Sequence, residues 1–132
     1  LKDFGKPVIW TLHDCWPFTG HCSYFDRYNC YKWQTGCFKC PNIRGYPSSW
    51  FVDNSRKNFY DKKYLFNCIE KLVLVSPSQW LAGHLKKSFL SAYDIKVIPN
   101  GVNTLAFKPM YDKTILNKYR LKGKYILGVA NV

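Results

Sequence analysis

The chain predicts an α/β fold built on a parallel sheet, and three observations predict it. Short apolar runs at Pro7–Leu12, Leu72–Val75 and Ile95–Ile98 have the length and β-branched content of buried strands. Helical patterns, not two-residue turns, separate them, and strands joined through helices pair in parallel. Each run stops on polar or turn-forming residues: His13-Asp14, Ser76-Pro77-Ser78 and Pro99-Asn100-Gly101.

Taken in order, residues 6–14 form the first strand and close on His13 and Asp14. From Cys15 to about Pro47 there is no sustained period. Gly, Pro, Asn, Cys and aromatic residues dominate this 15–47 stretch, which reads as a long Cys-rich loop insertion. Irregular segments of that length are uncommon in compact domains unless they are functional or held by something. A helix is predicted from Ser48 to Asn67, capped by Ser48 or Ser49, with Trp50, Phe51, Phe59, Tyr60 and Leu65 on its apolar faces. After the strand at Leu72–Val75, Ser78 is a good N-cap for a helix. Its stripe runs through Trp80, Leu81, Leu85, Phe89 and Leu90. Beyond the strand at Ile95–Ile98, Asn100 and Gly101 form a turn, and Asn-Gly favours positive φ. A Pro-containing linker between Asn103 and Asp112 marks a domain boundary. It divides the chain into residues 1–103 and 104–132. A short helix over Lys113–Tyr119 and a fourth strand from about Lys124 complete the pattern.

At 132 residues the chain has the size of one domain. It begins on Leu1 and ends on an apolar run, which reads as an internal piece of a longer protein. Twenty Lys and Arg against eight Asp and Glu give a net charge of +12. That balance favours anionic partners: nucleic acid, phosphorylated small molecules or an anionic membrane surface. The densest basic cluster, Arg56, Lys57, Lys62 and Lys63, reads as a solvated helix face. No run reaches the ~18 apolar residues of a membrane-spanning helix.

Two features carry chemistry. In open α/β sheets ligands bind beyond the carboxyl ends of the strands, where His13 is placed. The same pattern also fits a polar strand cap. The second feature is Cys22, Cys30, Cys37 and Cys40, ending in a Cys-x-x-Cys pair. Such a pair sets two thiolates on one turn, half of a structural zinc site. Seven residues separate Cys22 from Cys30, wider than the usual spacing. Zinc, free or redox-active thiols and disulfides therefore all stay open, with His21 a substitute ligand. Cys15 and Cys68 read as packing residues.

Several blocks point further when read together. Thr11-Leu12-His13-Asp14 is followed by Trp16-Pro17-Phe18-Thr19-Gly20, Cys22, Gly36-Cys37 and Cys40-Pro41. Then come Val75-Ser76-Pro77-Ser78-Gln79-Trp80-Leu81, Val97-Ile98-Pro99-Asn100-Gly101-Val102-Asn103 and Phe107-Lys108-Pro109. In this order they resemble the bacterial glycosyltransferases of family 4 (group 1). The resemblance implies a GT-B architecture of two Rossmann-like domains facing a cleft. Residues 1–103 would be the second half of the acceptor-side domain, and 104–132 the linker and start of the donor-side domain. It implies a retaining, hexosyltransferase-type enzyme that moves a sugar from a nucleotide-sugar donor to a glycan or lipid-linked acceptor in cell-surface polysaccharide synthesis. No catalytic metal is expected. The expected location is cytoplasmic, at the inner face of the membrane, with peripheral contact to anionic lipid and no nucleic acid. By the same resemblance His13 reaches the donor sugar and Asp14 is its neighbour in the cleft or a local structural residue. Ser76 makes a cleft-facing contact, Ser78 does so or simply caps its helix, and Asn100 and Gly101 touch the donor or only shape the hinge. Met often stands in the family where this chain has Cys15, and Asp where it has Asn103.

The charge and the cysteines also suit a basic, zinc-stabilised nucleic-acid-binding module, and the cysteines alone a secreted disulfide scaffold. Neither requires the strand–helix alternation. The resemblance places the glycine-rich loop of the first strand before residue 1 and the donor-gripping motifs after residue 132. The isolated 132 residues are thus expected to transfer no sugar, and measurable transfer by them would overturn that expectation.

Overall fold

The computed structural model describes residues 5–109 and 113–128. The chain forms two units, Leu1–Asn100 and Gly101–Val132, so the division falls ahead of the expected boundary at Asn103.

The first unit is a small α/β domain around a three-stranded parallel sheet. Its strands are β1 (Val8–Thr11), β2 (Leu72–Ser76) and β3 (Asp94–Val97), ordered β1-β2-β3. Register sets Trp10 opposite Leu74 and Leu74 opposite Ile95. The central strand reads Leu-Val-Leu-Val-Ser because both of its faces are covered. The outer strands alternate half-buried and exposed positions, and Ile9 on β1 is 74% exposed.

Helix α1 (Ser55–Asn67) connects toward β2 and α2 (Gln79–Leu85) toward β3. Helix α1 begins at Ser55, not at Ser48 as its residue pattern suggests. Trp50 is 78% exposed and Phe51 98%, so neither supplies an apolar helix face. The reason is a local competition for hydrogen bonds. Ser49 Oγ donates to the Val52 carbonyl, 2.7 Å away, and closes a separate turn. Asp53 Oδ1 accepts from the Ser55 amide at 2.8 Å and sets the true start. The buried positions of α1 are Ser55, Phe59 and Lys62, spaced as one helical face.

Helix α2 starts where expected: Ser78 Oγ accepts from the Leu81 amide at 3.2 Å. It ends at Leu85, short of the predicted Leu90. The Lys87 amide bonds His84 O and the Ser88 amide bonds Leu85 O, which tightens the last turn and ends the helix. Ser88 Oγ also donates to Leu85 O and accepts from the Leu90 amide. Leu90 is still fully buried, so the apolar stripe is used although its last part is not helical. The Tyr93 hydroxyl lies 2.7 Å from Phe66 O and 3.0 Å from Ile69 O. It ties the end of α1 to the approach to β3.

Between β1 and α1 the chain makes single 3-10 turns at Trp16–Phe18, Asp26–Tyr28 and Lys32–Gln34. Phe18, Phe25 and Trp33 from this excursion are buried in the same core as Leu72, Leu74 and Leu85. Phe25 and Trp33 meet edge-on with His84 of α2, at centroid distances of 4.9 and 5.6 Å. The excursion is thus a layer of the core and not a loop hung outside it.

In the second unit, α3 spans Thr114–Lys118. The expected fourth strand is absent from residues 124–128, which have no regular structure; Ile126 is fully exposed at 101%. An apolar run becomes a strand only against an open sheet edge, and this unit contains no other strand among its described residues. The rest of that predicted strand, 129–132, lies outside the described residues, as do 110–112 of the predicted linker.

Leu74, central and fully buried, is expected to lose about 2–5 kcal/mol on truncation to alanine. Ile9→Ala on the open edge should stay within about 0.5 kcal/mol. Urea unfolding midpoints of the two variants check the contrast.

Candidate functional site at the carboxyl edge of the sheet

Because the strands are parallel, their carboxyl ends share one edge. Thr11 faces Val75 and Ser76 faces Val97. The ladder continues one residue further on each side: the Leu12 amide donates to Val75 O and the Ile98 amide to Ser76 O, both at 2.9 Å. His13, the Ser76–Ser78 turn and Pro99-Asn100 therefore leave the sheet side by side. Leu12 is buried and His13, the next residue, is exposed at this edge.

The other expected site residues divide by environment. Asp14 is half-buried, and its Oδ1 accepts from the Trp16 amide at 2.9 Å, starting the 3-10 turn at Trp16–Phe18. Ser76, expected to make a polar contact facing the cleft, is fully buried. Its hydroxyl donates to Ser78 O and accepts from the Ser78 amide, so strand-end geometry consumes it. Ser78 Oγ is engaged as the cap of α2. Asn100 and Gly101 are exposed, and neither has the positive φ predicted from the Asn-Gly pair. They follow β3 in an irregular conformation, so no tight turn forces a left-handed residue.

Lys62 was read as part of a solvated basic face, and here the structure differs. It is 8% exposed. Its Nζ donates to Trp16 O at 2.8 Å and Thr19 O at 3.1 Å, and sits 3.4 Å from the Trp16 ring centroid. Burial pulls its pKa down to about 8, opposed by its coulombic coupling to Cys37, Asp14 and Cys22. The spacing Ser55, Phe59, Lys62 was the available signal, since it places a cation on the buried face. By contrast Lys57 pairs with Asp61 at 2.5 Å in solvent.

The cysteines fall into two groups. Cys15 is fully buried in the core, and burial pushes its thiol up to about 12. Cys68 is half-buried beside an apolar groove of about 600 Å³ that includes Val8, Trp10 and Phe66. Cys22, Cys30, Cys37 and Cys40 instead line one cavity of about 10 Å³, with His21 on its wall. The Cys22 thiol bonds Cys40; this bond pulls Cys40 down to about 7 and drives Cys22 up. Burial raises Cys37 to about 11. His21 Nε2 donates to Ile43 O at 3.2 Å. Among the described residues no three His, Cys, Asp or Glu side chains already stand as a formed metal-ligand set.

Among the described residues two depressions lie away from His13. The apolar groove is one; a second, of about 660 Å³, is lined by Lys39, Asp53, Arg56 and Tyr60. Neither includes a strand-end residue of the carboxyl edge. The edge is the better candidate because the sheet topology brings polar chain ends together there. No described helix is long and apolar enough to cross a membrane.

The chain is similar to a protein of Escherichia coli (strain K12) named "Putative colanic acid biosynthesis glycosyl transferase WcaC". The two are 37% identical over 103 residues, covering 73% of this chain and 23% of the relative. The chain thus spans about a quarter of that protein's length. No protein-family model matches the chain, and no solved structure matches it significantly.

Replacing Lys62 by alanine leaves two carbonyls of the first 3-10 segment without their donor and opens a void under Trp16. The expected loss is about 2–4 kcal/mol, against less than about 0.5 kcal/mol for Lys57→Ala at the exposed pair. Chemical denaturation of the two variants tests the difference; equal losses would refute the buried role of Lys62.

Proposed function

We propose that this chain is part of a glycosyltransferase of cell-surface polysaccharide synthesis, with the carboxyl edge of its sheet as one wall of the sugar-transfer cleft. The observation that carries this reading is an exposed histidine at the carboxyl edge of a parallel sheet, in a chain similar over most of its length to a named glycosyl transferase. The architecture proposed is GT-B. Residues 1–103 contribute to the acceptor-side domain, and residues 104–132 form the linker and start of the donor-side domain.

The reaction proposed is transfer from a nucleotide-sugar with retention at the anomeric carbon. The bond from that carbon to the diphosphate oxygen breaks, and the nucleoside diphosphate leaves with the electron pair. An acceptor hydroxyl bonds the same face of the carbon and passes its proton to the departing phosphate oxygen. His13 hydrogen-bonds the donor sugar and stabilises charge during departure. It needs no nucleophilic role. Asp14, engaged by the Trp16 amide, acts by holding the turn that presents His13. Ser76 and Ser78 shape the neighbouring strand end from within, and Asn100 borders the edge on its other side. The leaving diphosphate is stabilised by basic side chains, in keeping with a net charge of +12, and no catalytic metal is required. The acceptor is a glycan carried on lipid, met at the cytoplasmic face of the membrane.

The test is His13→Ala in the full-length protein. Sugar transfer should fall by about 100-fold or more, while the thermal unfolding midpoint stays unchanged because the ring is exposed. A near-wild-type rate would remove His13 from the mechanism.

A further inference from the structure

We infer that Cys22, Cys30, Cys37 and Cys40 form a structural zinc site that fastens the excursion between β1 and α1. The four residues come from different parts of the excursion, yet all border one cavity of about 10 Å³. That is roughly the space of one water-sized sphere, too small for an organic ligand and suited to a single ion. Zn²⁺ prefers four ligands in a tetrahedron and takes cysteine sulfur as thiolate. On binding, each cysteine gives up its thiol proton to solvent and coordinates the ion as thiolate. As placed, no three of these side chains are positioned to hold an ion, so binding requires the thiols to move together.

The surroundings are built for thiolates. The Gly20 amide donates to Cys37 Sγ at 3.2 Å. Amides aimed at sulfur favour the deprotonated form and orient the ligand. Gly20 is needed for this approach, since a Cβ there would collide with Ser55 O and stand 2.6 Å from Cys37 Cβ. Between the last two cysteines, Lys39 adopts φ 44°, a left-handed conformation that costs a lysine energy. The turn is held regardless. Lys32 Nζ donates to Phe38 O at 3.0 Å and Lys39 O at 3.1 Å, and Asp53 Oδ2 accepts from the Cys40 amide at 2.8 Å. These bonds keep both thiols on the cavity side of one turn. Four thiolates around Zn²⁺ carry a net charge of −2, and the buried Lys62 ammonium, within electrostatic reach of Cys22 and Cys37, offsets part of it.

Metal content is independent of sugar transfer, so the test cannot be confused with that of the proposed function. The full-length protein, purified under reducing conditions, is analysed for zinc by mass spectrometry and then reloaded with Co²⁺. One zinc per chain and the visible absorption of tetrahedral, thiolate-bound Co²⁺ are expected. Cys37→Ser and Cys40→Ser should lose both signals, while Cys68→Ser keeps them. If a ligand variant fails to fold, the cobalt spectrum of the wild-type protein still decides. A metal-free protein without cobalt bands would overturn the inference. So would zinc retained in both ligand variants, or an intact mass lacking two hydrogens per cysteine pair, which marks disulfides.

Discussion

The ammonium of Lys62 joins the helix that precedes the central strand to the chain that leaves the first one. Burying a cation is costly unless its donors are satisfied and its charge is balanced. Here two backbone carbonyls accept its hydrogen bonds, the Trp16 ring covers one side, and the Asp14 carboxylate supplies negative potential. Those carbonyls belong to Trp16 and Thr19, directly after His13 and Asp14 in the chain. The orientation of the strand end is consequently tied to α1 through one side chain. Gly20, next in sequence, packs against the first residue of α1 and against Cys37, so the same joint also sets where the cysteine turn lies.

From that joint the excursion gains a core of its own. Phe18 and Trp33 meet at 5.0 Å, as do Phe25 and Trp33, and the group continues onto Trp80 and His84 of α2. Aromatic packing of this kind contributes both buried area and ring–ring attraction. It anchors the half of the excursion nearest the sheet. The cysteine half has smaller side chains and more exposed aromatics, among them Tyr31 and Phe38. A metal cross-link there would complement the aromatic half rather than duplicate it.

The carboxyl edge combines rigidity and openness. Ser76 and Ser78 spend their hydroxyls on the strand-to-helix turn, and Asp14 spends its carboxylate on the turn that follows it. Thr11, His13 and the stretch after β3 are exposed along it. A site of this kind presents few reactive groups on a fixed frame, which suits it to hold one part of a substrate while other groups supply the rest.

Much of this was legible locally. Runs of apolar, β-branched residues declared β2 and most of β1 and β3. Ser78 declared the start of α2, and the position of His13 followed from where its strand ended. Strand identity and helix capping depend on near neighbours, so a sequence states them directly. The failures were tertiary. Trp50 and Phe51 looked like a helix face, but Asp53, shared between the Ser55 amide and the Cys40 amide, moved the helix start past them. The apolar run after Lys124 has no partner edge among the described residues, and no sequence period reports a missing partner. Lys62 looked solvated because a charge pattern cannot show which carbonyls will fold over it. Local propensity and spacing thus determined the elements and the edge on which His13 stands. Only the tertiary structure decided which polar groups are consumed inside the fold, because that depends on hydrogen-bond partners distant in the chain.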